Sequence, residues 1–106
     1  MKSIVTDYMS ISVLSGRPAE CTHHLIYGNG LRELSDKDGL VIPLTNEEHN
    51  MSLDSIHLSR YGGHLSKIIG QLAWEKEFYK ELCEKIGLVE SSARDSFRKR
   101  YGQSYL

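Results

Sequence analysis

The chain has 106 residues and a formal net charge of −1. Apolar residues make up 40% and charged residues 25%, ordinary globular usage that argues against a disordered chain. No apolar stretch approaches the roughly 18 to 20 residues of a membrane span, and the near-neutral charge argues against a strong non-specific nucleic-acid binder.

The segment Met1-Lys2-Ser3-Ile4-Val5-Thr6-Asp7 has neither a long apolar core nor a cleavage signature, so no secretory signal is read there. Cys21 and Cys83 fall in different predicted elements, and a reduced pair in the cytoplasm is the expectation. Ile11-Ser12-Val13-Leu14 alternates weakly and predicts a strand ending in a turn at Ser15-Gly16-Arg17-Pro18. Thr22 to Tyr27 predicts a second strand, stopped by Gly28-Asn29-Gly30, and Leu31 to Gly39 reads as a loop. Leu40-Val41-Ile42, between Gly39 and Pro43, predicts a third short strand or a buried loop.

The texture then turns helical. Thr45-Asn46-Glu47-Glu48 matches a capping box, so a helix should start near Asn46 with His49 in its first or second turn. A long helix fits Gly63 to Ile86, with Leu65, Ile68, Ile69, Leu72, Tyr79, Leu82 and Ile86 near one stripe and Gly87 as its C-cap. His64 would decorate its start. Ser92-Ala93-Arg94-Asp95 offers a further capping box, opening a short helix to about Tyr101. Arg94, Arg98, Lys99 and Arg100 crowd this last segment behind Glu75, Glu77, Glu81 and Glu84, leaving either a local basic face or a solvated helix surface.

Four of the five histidines, His23, His24, His49 and His57, fall in one stretch of about a third of the chain. Adjacent histidines on a strand point to opposite faces, so His23 and His24 cannot share one task. One can hold a metal while the other acts as a base, a division that hydrolysis of a phosphodiester requires. A half-buried strand histidine beside an exposed one is the plain alternative.

The histidine pair His23-His24, the run Gly39-Leu40-Val41-Ile42-Pro43-Leu44, His49 and His57 together resemble the HNH endonucleases, and small phage-type members most closely. The likeness continues through Gln71 and Trp74-Glu75 to Tyr101-Gly102-Gln103-Ser104-Tyr105-Leu106, covering the chain from about Ser12 onward. The resemblance implies an α+β fold: one HNH-like domain with a ββα-metal core over about residues 10–60 and a helical extension over about 62–106. It implies a metal-dependent DNA endonuclease of phage or prophage origin, in which His24 is the general base and His23, His49 and His57 are metal ligands. Arg32 and Lys37 would face the nucleic acid. Imidazole ligands suit Zn²⁺, Ni²⁺ or Mn²⁺ better than Mg²⁺. The second reading is a non-cleaving HNH-fold protein that binds DNA or a phage or host protein.

Two departures from the family pattern stand out. Asp38-Gly39 occupies roughly the place of the middle asparagine. The four positions where many relatives carry a zinc knuckle correspond to Ser12, Ser15, Thr45 and Glu48, none of which can rebuild a structural zinc site, so packing and caps must hold the fold. Cys21 reads as a small buried residue.

Overall fold

A computed structural model describes residues 2–28, 30–51, 55–57, 59–86 and 90–106. Two short strands, β1 (Cys21–His24) and β2 (Val41–Leu44), pair antiparallel, with His23 opposite Ile42 and His24 opposite Val41. Helix α1 (Leu31–Lys37) lies between them in sequence. A short π-helical turn over Glu47–Met51 follows β2, then the long helix α2 (Arg60–Ile86) and α3 (Glu90–Tyr101). The protein is therefore a small mixed structure of helices around a two-stranded antiparallel sheet. No helix among the described residues is long and apolar enough to cross a membrane.

Several elements differ from the sequence expectation. Ile11–Leu14 is not a strand: Ile11 makes an isolated bridge to Pro18, and the Ser12 hydroxyl accepts from the backbone N–H groups of Leu14 and Ser15. A serine that offers its side chain to the next turn diverts the chain from extended pairing. The strand expected over Thr22–Tyr27 stops at His24. Leu25 still donates to Leu40 O, but the Ile26 N–H turns to Ser35 Oγ instead of a strand partner. The expected loop at Leu31–Gly39 is mostly helix. Leu31 and Leu34 pack on the core, and buried Ser35 donates to Leu40 O at 2.8 Å, while Gly30 starts the helix without a side-chain cap.

The long helix appears where it was expected but faces the other way. Leu65, Ile69 and Leu72 are 54%, 47% and 50% exposed, so the apolar stripe points outward. The face turned inward carries Gly62, Ser66 and Gly70, each four residues from the last. A Cβ on Gly70 would meet Ile26 Cγ1 at 2.9 Å and Leu25 Cβ at 3.0 Å, and one on Gly62 would meet Ile56 Cα at 3.0 Å. This small-residue ladder lets the helix axis approach the end of β1, and close approach outweighs the outer apolar surface in setting the helix's rotation. Gly87, expected to end α2, and the side chains of Leu82, Cys83, Ile86 and Ser92 lie outside what is described.

The core holds Leu25, Ile26, Leu40, Ile42, Leu44, Phe97 and Tyr101. Two polar hubs dock the C-terminal segments onto it. The Asp38 carboxylate accepts two bonds from Arg100 (2.6 and 2.7 Å), one from Tyr101 Oη (2.7 Å) and one from Trp74 Nε1 (3.0 Å). Buried Gln71 donates to Ser104 Oγ and accepts from the Tyr105 N–H, pinning the tail. The C-terminal basic cluster is largely neutralised: Arg94 pairs with Glu75, Arg98 with Asp95 and Arg100 with Asp38.

Ser12, Ser15, Thr45 and Glu48 converge. Glu48 Oε1 accepts from Ser12 Oγ at 2.5 Å and from the Thr45 N–H at 2.8 Å, while the Glu48 N–H donates to Thr45 Oγ1 at 3.3 Å. The last two contacts are the expected capping box. Burial opposes the charge of Glu48, but hydrogen bonds from Ser12, Thr45 and Ser15 outweigh it and hold the carboxyl down at about 2, against an ordinary 4.5. A depressed folded pKa gives stability that is present above the unfolded value and lost as pH falls through the folded one. Thermal melts should therefore lose stability between pH 4.5 and about 2. In Glu48→Gln that component should vanish, with melting at neutral pH lowered by roughly 4–8 °C for a net loss of about 1 kcal/mol.

Candidate metal centre

β1 aims alternate residues to opposite faces, and His23 takes the buried one at 1% exposure. Its Nε2 lies 2.7 Å from Ser66 Oγ on α2. Ser66 Oγ also donates to Leu25 O at 2.7 Å, which uses its only proton. Toward His23 the hydroxyl can then only accept, so Nε2 carries the ring proton and Nδ1 keeps a lone pair. That Nδ1 is buried with no hydrogen-bond partner among the described residues. A buried acceptor left in this state costs about 1–3 kcal/mol, which a ligand for the lone pair would recover.

His49 and His57 complete the cluster. The capping box places His49 on the π-helical turn, a distortion frequent at functional sites. The chain then folds back so that the Ile56 N–H donates to Glu48 O and the His57 N–H to His49 O. This return brings the two Nε2 atoms to 2.9 Å, with one ring donating to the other. The three rings meet edge to face at centroid distances of 4.5 to 5.1 Å. One donor nitrogen from each of His23, His49 and His57 lies within 4.8 Å of the others, close enough for all three to hold one metal ion.

Electrostatics favour the ligand form of each ring. Burial, then the neighbouring His49, His57 and His24, push His23 down to about 3. Burial first, then His57, Arg32 and His24, lowers His49, and burial and Arg32 lower His57. Metal binding requires neutral imidazole, so these rings need lose little or no charge to bind near neutral pH. An orphaned lone pair, the Ser66 hydroxyl that orients the His23 ring and three neutral imidazoles fit a divalent ion of the Zn²⁺ type.

The remaining sequence-predicted residues sit around this cluster. His24, on the opposite face of β1, places Nε2 3.0 Å from Asp36 Oδ1 on α1, and its side chain is only 12% exposed. Arg32 lies one turn before Asp36 on the same helix, and its charge reaches both His49 and His57. Lys37 is exposed at the end of α1, well round the helix from Arg32. Cys21 offers its thiol to Leu44 O and Thr45 O, and burial pushes its pKa up. Sequence reasoning missed Ser66, Asp36 and Tyr27. The Tyr27 ring lies 4.7 Å from His57 and 5.6 Å from His23, walling the cluster on one side. The four-residue spacing of Gly62, Ser66 and Gly70 was the available signal for Ser66.

Comparison with family models, with curated proteins and with solved structures gave no match.

If Ser66 fixes the His23 tautomer, Ser66→Ala should weaken divalent-metal affinity about 10- to 100-fold in calorimetry, the usual loss for an outer-shell partner. His23→Ala should cost at least as much, because it removes a ligand outright. Exhaustive chelation should leave the protein folded, lowering the melting temperature only as far as mass action requires. Unfolding on chelation would show that the metal is structural.

Proposed function

We propose that this protein is a metal-dependent endonuclease of the ββα-metal type that hydrolyses phosphodiester bonds in DNA. The observation that supports this most is the convergence of three neutral histidines beside a fourth, His24, held by a carboxylate. The two strands are separated by helix α1, and the histidines on β1 and on the helical turn after β2 are what support the HNH reading. The convergence of Ser12 and Ser15 on the Thr45–Glu48 capping box also supports it, since the resemblance pairs these positions across the chain.

His23 Nδ1, His49 and His57 would hold the ion, three protein ligands being the usual complement of an open catalytic site. When bound, a divalent ion supplies positive charge to a phosphate oxygen and to the oxygen that leaves. The remaining steps belong to the chain. Asp36 accepts from His24 Nε2–H, which leaves His24 Nδ1 as the basic nitrogen and fixes the ring's orientation. Water attacks phosphorus as His24 Nδ1 takes its proton, and the bond from phosphorus to the 3′ oxygen breaks. Arg32 sets a fixed positive charge near the scissile phosphate, where negative charge builds. Tyr27 packs against His23 and His57 and limits the poses of both rings.

A plasmid-nicking assay across Mn²⁺, Ni²⁺, Zn²⁺ and Mg²⁺ tests the assignment. His24→Ala should lower the rate about 10²- to 10⁴-fold while metal affinity stays near wild type. Asp36→Asn should give a smaller loss. Nicking by a contamination-free His24→Ala at the wild-type rate would remove this residue from the mechanism.

A further inference from the structure

The histidine cluster opens at His57 onto a cleft of about 850 Å³ that the reaction itself does not explain. Its walls include Tyr27, Tyr61, Tyr105, Arg60 and Lys67. No aspartate or glutamate is among the described residues that line it. In a chain of net charge −1, that is a local concentration of positive charge. The contrast with α3 is sharp, since three of the four cations there are paired with carboxylates.

The aromatic residues are as informative as the cations. Lys67 Nζ sits 4.9 Å from the centre of the Tyr27 ring and 5.7 Å from that of Tyr105, so its ammonium is steadied by two π faces. Tyr61 also lines the cleft and is 79% exposed, so its ring is open to a ligand there. The first turn of the 27-residue helix α2 also borders the cleft, and Ser59 caps it through the Gly62 N–H. The positive end of that helix therefore faces the same space.

We infer that this cleft holds an unpaired nucleic-acid strand leading into the histidine cluster, with phosphates against Lys67 and Arg60 and bases stacked on Tyr61 and Tyr105. The inference rests on reading the cluster as the place of phosphodiester hydrolysis. Paired bases stack on one another and offer no face to a protein ring, so an aromatic-walled cavity suits a strand whose bases are free. Two cations contribute little affinity by counterion release, and stacking supplies the rest without sequence preference.

Fluorescence anisotropy with a labelled oligonucleotide tests this in chelator on a His24→Ala background, where nothing can be cut. Single-stranded DNA, single-stranded RNA and the matching duplex are separate arms. Either single strand should bind at least about tenfold tighter than the duplex, and the tighter one identifies the strand. Tyr61→Ala should weaken strand binding about 5- to 100-fold, with the circular dichroism spectrum unchanged because the ring is exposed. Lys67→Ala should weaken it too and reduce the salt slope by about 0.7, one single-strand phosphate contact. Duplex binding as tight as the strand, or full strand affinity in Tyr61→Ala, would overturn the inference. Strand binding by the wild-type protein with no cleavage under any metal would leave strand binding standing and sink the hydrolytic reading instead.

Discussion

One hydroxyl sets much of this structure. Ser66 donates to Leu25 O and accepts from His23 Nε2, joining the end of β1 to the second turn of α2 through two bonds of 2.7 Å. A buried imidazole without such a partner would leave both nitrogens unmatched, and a charged one would be prohibitively costly there. The bond requires the helix axis to come close, and close approach requires small residues at Gly62, Ser66 and Gly70. The outward turn of Leu65, Ile69 and Leu72 follows directly. A helix cannot present a small-residue ladder and its large apolar stripe to the same neighbour. The core is supplied instead by Leu25, Ile26, the β2 side chains and the aromatic residues of α3.

The hydrogen-bonded group at Ser12, Ser15, Thr45 and Glu48 shows how a small fold can do without a coordinated ion. Four ligand atoms around a metal would fix a turn near Ser12 to the turn before His49. Here one carboxylate does so, accepting from hydroxyls and from the Thr45 backbone. Its strength is conditional on charge, because only the ionised form can accept from all these donors at once. The same carboxylate belongs to the capping box that starts the π-helical turn. The brace and the placement of His49 are thus one interaction.

The helices were legible where the local signals were complete. Thr45 and Glu48 form the capping box at the spacing that predicts it, and α2 and α3 lie within a few residues of their expected bounds. α1 was not legible because Gly30 provides no side-chain cap and seven residues carry too little periodicity. The outward face of α2 was not legible either, since an apolar stripe reads as a core face unless the opposite face is weighed for small residues. His23, His49 and His57 were named from sequence and do come together. Of their supports, Asp36 and Tyr27 carry no pattern that marks them, and Ser66, 43 residues from His23, was signalled only by the Gly62, Ser66 and Gly70 spacing. Asp38, placed where the resemblance expects an asparagine, binds the C-terminal helices through Arg100, Tyr101 and Trp74. A carboxylate can accept these four bonds, whereas an asparagine would have one oxygen to share among them.

The distribution of charge links these observations. Near-neutral overall charge does not preclude an anionic ligand if the protein spends its carboxylates elsewhere. Glu75, Asp95 and Asp38 each neutralise an arginine on α3, removing that helix as a basic face. Arg32 acts on the histidine cluster, while Arg60 and Lys67 border a cleft with no carboxylate among the described residues that line it. Electrostatic potential in a concave site depends on which charges remain unpaired there more than on the chain's sum. The polar interactions that stabilise the fold are therefore also those that leave its positive potential concentrated beside the three histidines.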